Sequence, residues 1–100
     1  MKSDIPAHLQ GILWSVSIDK LDLKKHRQYI IHQVLMFGGF DEIKWLLRKY
    51  SLKEVREVFV DNPQKIYTSQ AFNFVKNFIL GLKKTKVSTT DYVNTIYAST

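Results

Sequence analysis

The residues of this chain that could do chemistry are few and poorly placed for it. Its three histidines are His8, His26 and His32. His26 and His32 stand six apart in one helical run, so their imidazoles point in different directions and cannot form the i, i+4 pair of helical metal sites. The chain has no cysteine, which excludes disulfides, thiolate catalysis and cysteine-ligated metals. Ser15, Ser17 and Ser51 sit in no nucleophile motif, and Ser51, three residues ahead of Glu54, is better suited to capping a helix. Gly38 and Gly39 form a helix stop between two apolar runs, where a phosphate-cradling loop would need a different glycine spacing. The expectation is a protein that is not an enzyme, with no cofactor and no metal site.

Binding is then the function to look for, and charge gives one pointer. The net charge is +6 with an isoelectric point near 9.6, which raises a polyanionic partner as a possibility. The candidate phosphate-contacting residues are Lys24, Lys25 and Arg27 in one cluster and Lys83, Lys84 and Lys86 in another. Nucleic-acid binding by these scattered groups would weaken steeply as salt rises. A helix-turn-helix at the junction "RKYSLKE" is disfavoured, because its second helix would turn Glu54, Glu57 and Asp61 toward DNA phosphates against only Lys53 and Arg56.

Aromatic residues give the second pointer. Ile43, Leu46, Leu47 and Tyr50 mark one stripe of a helix, and at about 100° per residue Trp45 falls nearly opposite, flanked by Arg48 and Lys49. Either another part of the chain covers Trp45, with the amino-terminal plug around Leu13 and Trp14 the first choice, or a partner does. Tryptophan beside arginine is the composition of binding hot spots, so Trp45, Arg48 and Lys49 are the candidate interface. Trp14 itself is expected in the core. Homo-oligomerisation through the same aromatic surface is a further reading.

These residues need elements to position them. Pro6 opens a short helical turn that Gly11 ends. Asp22 is the expected N-cap of a long helix whose apolar face holds Leu23, Ile30, Ile31, Val34 and Leu35, with Lys24, Gln28 and His32 on the other side. Asp41 is the expected cap of the second helix, with Glu42 in its first turn complementing the helix dipole. Ser51 with Glu54 starts a third, which stops near Asn62 before Pro63. Ser69 is expected to cap a fourth, with Ala71, Phe72, Phe74, Val75, Phe78, Ile79 and Leu82 making the widest buried arc. After a basic linker, Thr89 or Thr90 caps a short final helix carrying Tyr92, Val93, Ile96 and Tyr97, although those residue types also favour strands. The fold class is therefore all-α: a compact single-domain array of four to five short helices. The helical domain is drawn over residues 1–82, leaving residues 83–100 as linker and tail. With no signal-like run and no apolar stretch of roughly 18 residues, a cytoplasmic location is the default.

The run "IPAHLQGILWSVSIDKLDLKKHRQYIIHQVLMFGGFDEIKWLLRKYSLKEVREVF", continued by "AFNFVKNFIL", resembles a family of small all-helical bacterial proteins of unassigned function, commonly encoded beside abortive-infection-type nucleotidyltransferase toxins. The resemblance rests on Pro6, Leu9, Leu13, Trp14, Leu23, Ile30, Ile31, Val34, Leu35, Gly38, Trp45, Leu46, Tyr50, Asn73 and Phe74, and covers roughly residues 5 to 80. It implies a protein-binding role, antitoxin-like or accessory, with a nucleotidyltransferase as partner. The family pattern has an aspartate just after the tryptophan and often an arginine late in the long helix. Here Ser15 and either His32 or Gln33 stand in those places, which would alter a partner surface built on them.

Overall fold

The structure, a computed structural model, describes residues 5–14, 17, 20–81 and 87–93. Four α-helices follow one another: α1 (Arg27–Phe37), α2 (Phe40–Lys49), α3 (Leu52–Asp61) and α4 (Ser69–Phe74), the last prolonged by a π-helical turn, Val75–Ile79. Single 3-10 turns, Ala7–Gly11 and Thr89–Asp91, lie on either side of this set. The domain is all-α; among the described residues the only extended pairing is one parallel bridge between Tyr67 and Val93.

The centre of the domain is α1, which packs against α2, α3 and α4. Every residue from Ile30 to Leu35 is buried, so α1 is covered nearly all round, and its polar side chains must find partners inside. His32, expected on the polar side of the helix, and Gln33 do so. Gln33 Nε2 donates to the Ile12 carbonyl at 2.8 Å. The two nitrogens of His32 reach the Asn62 carbonyl at 2.7 Å and the Tyr67 hydroxyl at 2.8 Å. Because a carbonyl only accepts, the proton of neutral His32 is on Nε2, and Nδ1 accepts from Tyr67. Burial pushes this imidazole down from 6.5 to about 4, against the opposing pull of the Asn62 carbonyl.

Helix ends show which local signals acted. Ser51 Oγ accepts the Glu54 N–H at 3.1 Å, the expected cap of α3, and Asn62 closes the helix before Pro63. Asp22 Oδ1 accepts the N–H groups of Lys24 and Lys25 at 2.8 and 2.9 Å. It thereby shapes a turn, and regular α1 starts only at Arg27. The bonds from Lys25 and Lys24 hold the Asp22 carboxyl below its usual range. The cap of α2 is Gly39, not Asp41: Glu42 Oε1 takes the Gly39 N–H at 2.6 Å, and the helix begins at Phe40. Thr68 rather than Ser69 caps α4, accepting the Ala71 N–H at 3.1 Å.

Gly38 is required by space. A Cβ there would lie 2.6 Å from the Val34 carbonyl oxygen and 3.0 Å from the Glu42 Cβ, so only glycine lets the chain leave α1 and enter α2 so tightly. Gly81, with φ of 62°, takes the left-handed conformation after the π-turn.

The expected boundary after Leu82 does not divide the core. Tyr92 and Val93 are buried with the helices. Tyr92 stacks on Phe59 with ring centres 4.5 Å apart and donates its hydroxyl to the Phe59 carbonyl at 2.6 Å. Its own carbonyl accepts the Tyr67 N–H at 2.9 Å. The β-favouring residues thus supply a bridge and an aromatic plug at this point, with a 3-10 turn before them. Ile96, Tyr97, Leu82 and the Phe78 side chain lie outside the described residues. Phe74, expected on the buried arc of α4, is exposed, while Phe72 and Val75 are buried.

Candidate protein interface

The two tryptophans take opposite places: Trp14, expected in the core, is outside, and Trp45, open between core and interface on the spacing alone, is inside. Trp45 is only 8% exposed and belongs to the core, whereas Trp14 is 57% exposed. Two neighbours reach α2: α1 packs against it, and His8 Nε2 of the amino-terminal turn lies 3.5 Å from Glu42 Oε2, Glu42 being three residues before Trp45 on the same helical face. A single-stripe reading of α2 counts one neighbour and misses the other. Trp45 is therefore corrected from interface anchor to core residue; Arg48 and Lys49 remain exposed.

Trp14 follows a segment anchored in the core. Leu9 and Leu13 are fully buried, and Gln33 holds the Ile12 carbonyl from α1. One helical turn beyond Gln33 on α1 stands Phe37, and Trp14 meets it edge-on, ring centres 4.8 Å apart at 65°. The polar bond and the ring contact are thus successive rungs of the same α1 face, and a buried amide fixes an exposed indole. Phe37 is 39% exposed, and Phe40, three residues on across the tight glycine turn, is 77% exposed. Three residues span at most about 11 Å, so the backbone of Phe40 stays close to that of Phe37.

Cations adjoin them. Phe40, Lys44 and Arg48 recur at i, i+4 and i+8 on α2, and Lys44 Nζ lies 5.6 Å from the centre of the Phe40 ring. Lys49 is turned about 100° away from Arg48, past Trp45, and does not join this row. In the sequence this surface is signalled by the i, i+4, i+8 series itself, a row distinct from the Trp45 side of the helix.

The remaining candidates are dispersed. Lys24 and Lys25 are exposed, but Arg27 pairs with Glu54 at 3.0 Å across α1 and α3. Arg56 donates to the Leu80 carbonyl at 2.8 Å, tying α3 to the end of the π-turn. Lys83, Lys84, Lys86 and Ser15 lie outside the described residues. Beside Arg27 a cleft of about 90 Å3 is lined by Glu54, Glu57, Val58, Asp61 and Asn62; it is far smaller than the roughly 300 Å3 or more of ligand sites and carries the wrong sign for phosphate. Among the described residues no group of three histidine or acidic side chains is arranged to hold a metal. No helix among them is long and apolar enough to cross a membrane.

Compared with curated proteins and with solved structures, the chain matches none. A family model does match, over residues 9–59, just over half of the chain. The matched span runs from Leu9, buried in the amino-terminal turn, through α1 and α2 to Phe59 near the end of α3, and it contains every residue of the exposed aromatic and cationic surface. On that match the chain belongs to DUF6922, a family of unknown function.

Proposed function

We propose that this protein is a non-enzymatic protein-binding module and that Trp14, Phe37 and Phe40 form its docking surface, with Lys44 and Arg48 at the rim. The observation that carries this reading is the exposure of three apolar or nearly apolar rings, Trp14 against Phe37 and Phe40 three residues on, in a small domain whose other described large aromatics, Phe74 excepted, are mostly inside. Full burial of such a ring is worth about 1.5–3 kcal/mol, of which a partner recovers the part matching its exposed fraction, most at Phe40. Rigid aromatic side chains also lose little entropy on docking and serve as anchors.

The resemblance to small helical proteins encoded beside nucleotidyltransferase toxins supplies the class of partner. In that role the module is antitoxin-like or accessory, and its action is steric: an aromatic and basic surface covers a cleft that collects carboxylates for Mg2+ and admits a polyphosphate. The anchors are the exposed rings, Arg48 stays at the rim, and Trp45 contributes by holding α2 in place.

The experiment is co-purification from a nuclease-treated native lysate, comparing the wild-type chain with a Trp14→Ala/Phe40→Ala variant. One stoichiometric protein, retained by the wild type and lost by the variant, is the expected result, and a nucleotidyltransferase in that band identifies the class. Equal retention by both chains, or recovery of nucleic acid alone from an untreated lysate, rejects the docking surface.

A further inference from the structure

The exposed face of α2 changes character in a fixed order. From Phe40 to Arg48 the row is about 12 Å long, starts in the aromatic patch and ends in cations, with Lys44 about 6 Å along. Neither Lys44 nor Arg48 takes part in an ion pair among the described residues; those pairs join His8 with Glu42 and Arg27 with Glu54. Glu42, the acid that could have neutralised the turn from within, is held by the Gly39 N–H and His8. Two cations therefore stand in water beside Phe40 outside any ion pair, with exposed Asp41, three residues before Lys44, an acid on the same side of α2.

Resting on the reading of this surface as a protein interface, we infer that it takes an acidic segment of the partner: a large apolar side chain set against Phe40 and the Trp14–Phe37 pair, followed by carboxylates at the pitch of Lys44 and Arg48. Carboxylates match both cations, and Arg48 can hold one bidentately. A nucleic-acid strand fits this row less well. Base stacking needs open parallel ring faces, but Trp14 and Phe37 are locked edge to face, and Lys44 covers one face of Phe40. With Asp41 on the same side of α2, the two cations of the row match a pair of carboxylates but are too few to track a string of phosphates.

The test is selection of displayed random peptides of about 12 residues, long enough to span the row as helix or strand, on the full chain. The affinities of enriched peptides are then measured for wild type, Phe40→Ala and Lys44→Glu/Arg48→Glu, each checked by thermal unfolding. Expected are peptides joining Leu, Phe or Trp to Asp or Glu, about tenfold or more weaker on each variant, with Lys-substituted peptides regaining affinity for the charge-reversed chain. Peptides without acidic bias that fail only on Phe40→Ala would overturn the acidic segment while leaving the protein interface standing. No enriched peptide, or salt-sensitive binding of an oligothymidylate of similar length in their place, would overturn both.

Discussion

Two clusters of rings in this domain use similar residues to opposite ends. The inner one gathers His32, Phe59, Tyr67, Phe72 and Tyr92, all buried, with Phe59, Phe72 and Tyr92 each in contact with the other two. The outer one holds Trp14, Phe37 and Phe40 at the glycine turn. Polarity alone would have sorted them the other way, because the inner cluster carries two hydroxyls and an imidazole and the outer one only an indole N–H. What admits the inner groups is that each polar atom has a partner: Tyr92 to the Phe59 carbonyl, Tyr67 to His32, His32 to the Asn62 carbonyl. Burial follows from available partners as much as from residue type, and apolar rings left outside therefore stand out as surface with a use.

The largest effect should come from emptying the inner cluster. Phe59→Ala removes a fully buried ring that touches His32, Tyr67, Phe72 and Tyr92. A loss of about 3–5 kcal/mol is expected in urea unfolding, enough to leave a domain of this size largely unfolded. A loss under about 1 kcal/mol would mean that the inner rings are not packed as one unit.

Acid should break the same cluster through one group. The His32 imidazole titrates near 4 in the folded chain and near 6.5 when unfolded. Between those values the unfolded chain binds a proton that the folded chain refuses. Stability is therefore full above pH 6.5, falls as pH drops, and levels out near pH 4, with a total loss of about 3 kcal/mol. Unfolding free energies measured across that window should show the slope, and His32→Gln should flatten it. An unchanged slope in the variant would assign the acid sensitivity to other groups.

How much of this was readable from the sequence depends on distance along the chain. The cap at Ser51 and the stop at Gly38 were legible because donor, acceptor and steric cause lie within a few residues. His32 was not, because its partners Tyr67 and Asn62 are 35 and 30 residues away, and a histidine without visible partners reads as surface. Spacing alone leaves Trp45 between core and interface, with cover by the amino-terminal plug the first choice, because it sets the ring opposite the α2 stripe without saying what lies there; its burial decides for the core. The tail at Tyr92 was ambiguous for the same reason as His32: its place is set by Phe59, Tyr67 and Phe72, and the last two lie beyond the family-matched span of residues 9–59. The outer surface was half legible, since Arg48 was singled out but grouped with Trp45 instead of Phe40.

A smaller effect isolates one bond of the inner cluster. Tyr92→Phe keeps the ring stacked on Phe59 and removes only the hydroxyl, leaving the buried Phe59 carbonyl without that donor. The expected cost is about 1–3 kcal/mol with little change in the dependence of stability on denaturant. No measurable cost would show that water reaches this carbonyl when the hydroxyl is gone.

The smallest stability effect should come from the outer cluster, and its smallness is what sharpens the comparison. Phe40→Ala and Trp14→Ala each remove a ring that is mostly in solvent, so stability should change by no more than about 0.5 kcal/mol, a fraction of the Phe59→Ala loss for the same chemical truncation. Fluorescence separates the two tryptophans independently. In the wild type acrylamide should quench one emitting population readily, that of exposed Trp14, and the other poorly, that of buried Trp45. In Trp14→Ala only the protected, blue-shifted emission should remain. If that variant instead keeps a readily quenched signal, or unfolds several kcal/mol more easily, Trp14 is packed as the sequence expected and the docking surface loses its first ring.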